Sequence, residues 1–128
     1  MSLAKKRILV VDDEPDMLKL MEWQLMVNGY DVLTAINGAE GFRMAKKSVP
    51  DLIILDILMP IAEINGVQMN ELLKKDKVTK HIPIIFFTST LNEQEQVDSD
   101  GNVMISKMAS SQKLLSKIKQ LLKDSSQT

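Results

Sequence analysis

Four of the apolar runs in this chain stop at residues that can do chemistry. Asp12-Asp13-Glu14 follow Arg7–Val11, and Asp56 closes the run Leu52–Leu55 shortly before Pro60. Thr88-Ser89-Thr90 follow Ile82–Phe87, and Ser106-Lys107 follow Val103–Ile105. If these runs are parallel strands, their C-terminal ends share one edge, where open α/β sheets bind their ligands. Asp12, Asp13 and Asp56 would then repel one another, each raising the others' proton affinity, unless a cation sits among them. A hard divalent ion resolves the conflict, and Mg²⁺ commonly takes one or two carboxylates, waters and phosphate oxygens. Lys107 adds a point charge for a phosphate oxygen, and Thr88 adds a hydroxyl donor. Phosphoryl transfer needs mostly positioning and charge neutralisation, which these groups supply. The residues therefore point to Asp56 as a nucleophile that accepts a phosphoryl group.

The elements that must present these residues are legible from hydrophobic periodicity. Leu52–Leu55 is unbroken by polar residues, as suits a strand covered on both faces. Arg7–Val11, Asp31–Ala35, Ile82–Phe87 and Val103–Ile105 are further strands, rich in β-branched residues. Pro15 suits the first turn of a helix that ends at Asn28-Gly29. Its predicted inward face is Met17, Leu20, Met21, Leu25 and Asn28, with Leu18 beside it. Asn37-Gly38 opens a second helix reaching about Lys47, with Ala39, Phe42 and Ala45 or Met44 inward. A third runs from Val67 to about Lys75, with Val67, Met69 or Asn70, Leu72 and Leu73 inward. The acidic stretch Leu91–Asp100 offers only Leu91 and Val97 to bury and is expected to form a short or loosely held helix. Leu114, Leu115, Ile118, Leu121 and Leu122 make the stripe of a last helix. Strands alternating with helices imply βαβ units and a parallel sheet with helices on both faces.

Composition sets the outer limits. At 128 residues the chain is one domain, ordered over about residues 6–123, with a polar tail that could begin a linker. A net charge of −1 gives no pull toward nucleic acid or an anionic membrane, and no apolar run approaches the roughly 18 residues of a membrane span. The absence of cysteine excludes disulfides and thiolate metal sites and favours the cytoplasm. No glycine-rich phosphate loop follows any strand, which argues against a nucleotide-binding domain.

Over nearly its full length the chain resembles the receiver domains of two-component response regulators. The matching stretches are Leu9-Val10-Val11-Asp12-Asp13-Glu14-Pro15, Asn37-Gly38, Pro50 through Pro60, Ile82-Pro83-Ile84-Ile85 and Lys107. The resemblance implies a flavodoxin-like (βα)5 three-layer sandwich with a five-stranded parallel sheet in the order 2-1-3-4-5. It implies that Asp56 takes phosphate from a sensor histidine kinase, a phosphotransfer protein or a small phosphodonor. Mg²⁺ would be held by Asp13, Asp56 and the backbone carbonyl of Leu58, with Asp12 acting largely through a metal-bound water. Thr88 would follow the phosphoryl group and Lys107 would pair with it. The implied partners are that kinase and a downstream effector protein or domain, with no turnover of an external substrate.

Some positions depart from the family pattern. The gap from Pro60 to Gly66 is two residues longer, Asn65 stands in an Asp position, and Met108 replaces the proline after the lysine. Without that proline a cis peptide is not expected, since it costs about 3–4 kcal/mol at other residues. Met104 stands where an aromatic switch residue is usual, and the stretch from Thr88 to Lys107 is about one helical turn short. Two alternatives remain. One is a pseudo-receiver that binds partners without phosphate. The other is an aspartate-nucleophile phosphohydrolase, which typically has a second Asp where Leu58 stands and a cap domain for which there is no room.

Overall fold

The computed structural model describes residues 5–57, 59, 64–89, 95–97 and 102–126. The elements are β1 (Arg7–Val11), α1 (Pro15–Val27), β2 (Asp31–Ala35), α2 (Gly38–Ser48), β3 (Leu52–Leu55) and α3 (Gly66–Lys75). They continue with β4 (Ile84–Thr88), β5 (Glu95–Val97), β6 (Val103–Ser106) and α4 (Ser111–Ser126). Among the described residues the sheet runs β2-β1-β3-β4-β6-β5. All pairings are parallel except β5 with β6. Five parallel strands thus follow the expected order 2-1-3-4-5, flanked by four helices among the described residues.

Strand alternation builds the three layers. Ile8, Val10, Leu52, Ile54, Ile85, Phe87 and Ile105 face α1 and α4, where they meet Leu18, Met21, Leu25, Leu114, Ile118 and Leu122. Leu9, Val11, Ile53, Leu55, Ile84 and Phe86 face α2 and α3, where they meet Ala45, Met69 and Leu73. The caps are local. Asn37 Oδ1 accepts the Glu40 amide at 2.8 Å, and Asn65 with Gln68 forms a reciprocal capping box at 2.9 and 3.0 Å. Gly29, with φ 94°, ends α1 in the left-handed conformation expected there.

The structure corrects some expectations. The stretch expected as a helix over Leu91–Asp100 contains β5, antiparallel to β6, with Val97 opposite Val103; residues 91–94 and 98–100 lie outside those described. A helix on a sheet must bury an apolar stripe, which this acidic segment lacks, whereas an edge strand needs only the free backbone groups of β6. On α1 the buried positions are Leu18, Met21 and Leu25, while Leu20 is 49% exposed. Val67 and Leu72 of α3 also face outward, leaving Met69 and Leu73 inside. In each case the apolar choices on one turn exceeded what a single face could bury, and the sheet took the set nearest its own ridge.

These assignments make opposite demands of two leucines on one helix. Leu25→Ala is expected to destabilise by about 2–5 kcal/mol, and Leu20→Ala by about 0.5 kcal/mol. Urea denaturation of both variants checks the face that α1 buries.

Candidate functional site

Register brings the chemistry together. Val11 pairs with Leu55, so Asp12 and Asp56, each one residue further, stand level at the C-terminal edge. The Asp56 amide donates to the Val11 carbonyl at 2.9 Å, and the Asp12 amide to Ala35 at 3.1 Å. On the other side, Thr88 pairs with Ser106, and the Lys107 amide donates to the Thr88 carbonyl at 2.8 Å. Lys107 therefore leaves β6 beside the carboxylates through backbone pairing rather than through its own side chain.

The side chains converge on one ammonium. Lys107 Nζ lies 2.7 Å from Asp12 Oδ2 and 3.3 Å from Asp56 Oδ2, with Glu14 Oε1 at 3.7 Å. Asp12 and Asp56 are 2% and 4% exposed, so neither carboxylate is screened by bulk water. Asp12 Oδ1 also accepts the Glu14 amide at 3.0 Å. Burial by itself pulls the Lys107 pKa down, but the hydrogen bond and charge of Asp12, joined by Asp56, outweigh it and leave the pKa raised. Carboxylate oxygens of Asp12, Asp13, Glu14 and Asp56 lie within 4.8 Å of one another, a spacing and donor set that fit a hard divalent cation.

Of the residues expected at the site, Asp12, Asp13, Asp56 and Lys107 form one cluster. Thr88 is fully buried at the end of β4, two residues past Phe86, which pairs with Leu55. Leu58, expected to offer its carbonyl, lies outside the described residues. Sequence reasoning left out two neighbours. Glu14 joins the carboxylate cluster, as three consecutive acids already hinted. Ser106, buried at the end of β6, accepts the Met108 amide on its Oγ at 3.0 Å. That bond answers the missing proline: a proline has no amide hydrogen, whereas Met108 has one to satisfy, and Ser106 satisfies it. No cis peptide occurs among the described residues, and Met104 packs against the core that faces α2 and α3.

Known proteins resemble this chain in sequence and in fold. The profile of the response regulator receiver domain family matches residues 8–119. Protein PilH of Pseudomonas aeruginosa is 38% identical over 91 residues, covering 71% of this chain and 74% of that protein. The alkaline phosphatase synthesis transcriptional regulatory protein PhoP of Bacillus subtilis is 37% identical over 92 residues, covering 72% of this chain; the chain spans only 37% of its length. Among solved structures, the response regulator TrrA from Thermotoga maritima in complex with Mg²⁺-BeF is 34% identical with a TM-score of 0.77. The match covers 91% of this chain and 98% of that one. No helix among the described residues is long and apolar enough to cross a membrane.

The ion pairs give a pH test. Because the folded-state pKa of Lys107 is raised, its stabilising effect is complete below the ordinary lysine value of 10.5 and is lost as pH rises through the folded value. The unfolding free energy of the wild type should therefore fall more steeply above that pH than that of Lys107→Met. Parallel slopes for the two proteins in urea titrations would remove Lys107 from the account.

Proposed function

We propose, since the chain belongs to the response regulator receiver domain family of two-component signalling, that Asp56 is its phosphoacceptor and that phosphorylation changes its affinity for a downstream partner. The donor is a phosphohistidine of a sensor histidine kinase or phosphotransfer protein, or a small acyl phosphate or phosphoramidate. The observation that carries this is the buried Asp12–Lys107–Asp56 cluster, in which a nucleophilic carboxylate lies against a cation at the ligand-binding edge of the sheet.

An oxygen of the Asp56 carboxylate attacks phosphorus in line with the donor's leaving atom. As the new O–P bond forms, the bond from phosphorus to the donor breaks, leaving an acyl phosphate on Asp56. The electron pair of the broken bond leaves on the imidazole nitrogen of a phosphohistidine, the nitrogen of a phosphoramidate or the carboxylate oxygen of an acyl phosphate. The Lys107 ammonium moves its allegiance from carboxylate to the incoming phosphoryl oxygen, and the Thr88 hydroxyl donates to another. Asp12 and Asp13, with Asp56 itself, would hold Mg²⁺, which when bound neutralises charge on the phosphoryl oxygens. Phosphorylation adds roughly −1.5 to −2 charges by analogy with other phosphorylated side chains. That charge lands beside Thr88, whose strand leads directly into the segment containing β5. The signal then leaves the site through the segment after Thr88 that contains β5.

We place the chain outside the class of enzymes that turn over an external substrate, and assign it a kinase and an effector as partners. A phosphate-independent pseudo-receiver shares the fold and differs in the chemistry of Asp56.

Intact mass after treatment with acetyl phosphate and Mg²⁺ separates the two. Wild type is expected to gain one phosphoryl group, and Asp56→Asn none. Thr88→Ala should label roughly a hundredfold more slowly, as when one donor to a developing negative charge is removed. An unlabelled wild type, or equal labelling of Asp56→Asn, would leave the pseudo-receiver.

A further inference from the structure

The backbone that carries Asp56 is braced by two helix starts. Gly66, the first residue of α3, donates its amide to the Ile57 carbonyl at 3.3 Å, and Gly38, the first residue of α2, donates to the Ile64 carbonyl at 3.1 Å. Both approaches are too close for a side chain. A Cβ on Gly66 would collide with the Asp56 carbonyl oxygen and stand 2.8 Å from Ile57 Cα. A Cβ on Gly38 would collide with the Ile64 carbonyl oxygen and stand 2.8 Å from Ile64 Cγ2. Ile64 directly precedes Asn65, whose capping box with Gln68 fixes the first turn of α3. The contacts thus form one chain, from α2 through Ile64 and the Asn65 cap to Gly66 and the Asp56–Ile57 peptide.

We infer that Gly38 is a positioning residue for the cation site. By letting α2 close on Ile64, it seats the start of α3 against the Asp56 backbone and so steadies the Asp56 peptide that sheet register has set level with Asp12. Gly38 touches neither metal nor phosphoryl group and acts through Ile64 and Gly66. The inference depends on Asp56 working at a metal-bound site, as proposed above. The role is distinct from backbone freedom. Gly29 is the one described glycine with positive φ, and a Cβ there would meet nothing within 4 Å. Gly38 has an ordinary conformation in which alanine is a better helix former, so its replacement acts through the displaced carbonyl.

The two glycines should therefore differ in what their loss does to Mg²⁺ affinity. Gly38→Ala is expected to lower Mg²⁺ affinity by about tenfold, the range seen when a partner behind a metal ligand is lost, and also to lower metal-free stability, because the atom displaced is backbone. Gly29→Ala should lose metal-free stability, because alanine resists its backbone conformation, and keep the wild-type affinity. Calorimetric titration with MgCl₂ and metal-free urea denaturation read the two quantities separately. A second measurement uses wild type alone. Linkage is reciprocal, so if a closed brace favours Mg²⁺, bound Mg²⁺ should slow hydrogen exchange at the Gly38 amide by a similar factor. Mg²⁺ binding by wild type with an unaltered affinity in Gly38→Ala, or exchange at Gly38 indifferent to Mg²⁺, overturns the role of Gly38. A wild type that binds no Mg²⁺ overturns the metal site and the brace together.

Discussion

Two carboxylates out of reach of water, one ammonium between them: this is the constraint to which the rest of the structure answers. Asp12 and Asp56 both lie within hydrogen-bonding distance of Lys107 Nζ. Removing a charge from water is expensive, and the mutual attraction of buried ions offsets that only when geometry is good and remaining lone pairs are satisfied. Here the second oxygen of Asp12 takes the Glu14 amide, and Lys107 is fixed by its own backbone bond to Thr88. The same arrangement suits a protein whose ligands are cations and phosphate. A group of carboxylates only partly offset by one positive charge can take up a further cation, and can release the ammonium to meet a new anion.

Sheet register does most of the positioning. In strands buried on both faces a slip of one residue would exchange two apolar sets. It would also draw the acids that close β1 and β3 into the apolar layers or pull apolar residues out to the edge, so the polar strand ends hold the register. Asp12 and Asp56 are therefore level because Val11 and Leu55 are, and Lys107 arrives because Ser106 pairs with Thr88. The longer connection after Asp56 leaves that register alone. Its far end is held by α2 and α3 through backbone contacts with two glycines.

Much of this was legible in the residues. The runs Arg7–Val11 and Leu52–Leu55 have one reading as buried strands, and the acids that follow them could only share an edge. Asn37, Gly29 and Pro15 mark helix ends by mechanisms that depend on neighbouring backbone alone. What escaped was whatever depends on competition among elements. Leu20 and Leu18 are equally apolar, and the surface of the sheet decides which one is buried. The segment containing β5 fits neither a good helix nor a good strand. The sheet edge left open by β6 settled its form, although Asp100-Gly101 is a pair that favours hairpin turns and pointed that way. Ser106 was invisible as a partner because its role answers an amide that exists only where Met108 replaces proline. Gly38 and Gly66 read as helix-start residues, and their contacts with a distant carbonyl needed coordinates.

The most direct test of the central ion cluster is the stability of Lys107→Met with and without Mg²⁺. In metal-free buffer, loss of the ammonium should lower the unfolding free energy by about 3–5 kcal/mol, the range for leaving buried charge without its partner. Saturating Mg²⁺ should then recover most of that loss, stabilising the variant more than it stabilises wild type, because a ligand that binds only the folded state raises its stability by mass action. A variant as stable as wild type without metal, and no more responsive to Mg²⁺, would contradict the claim that these carboxylates are held together by the cation between them.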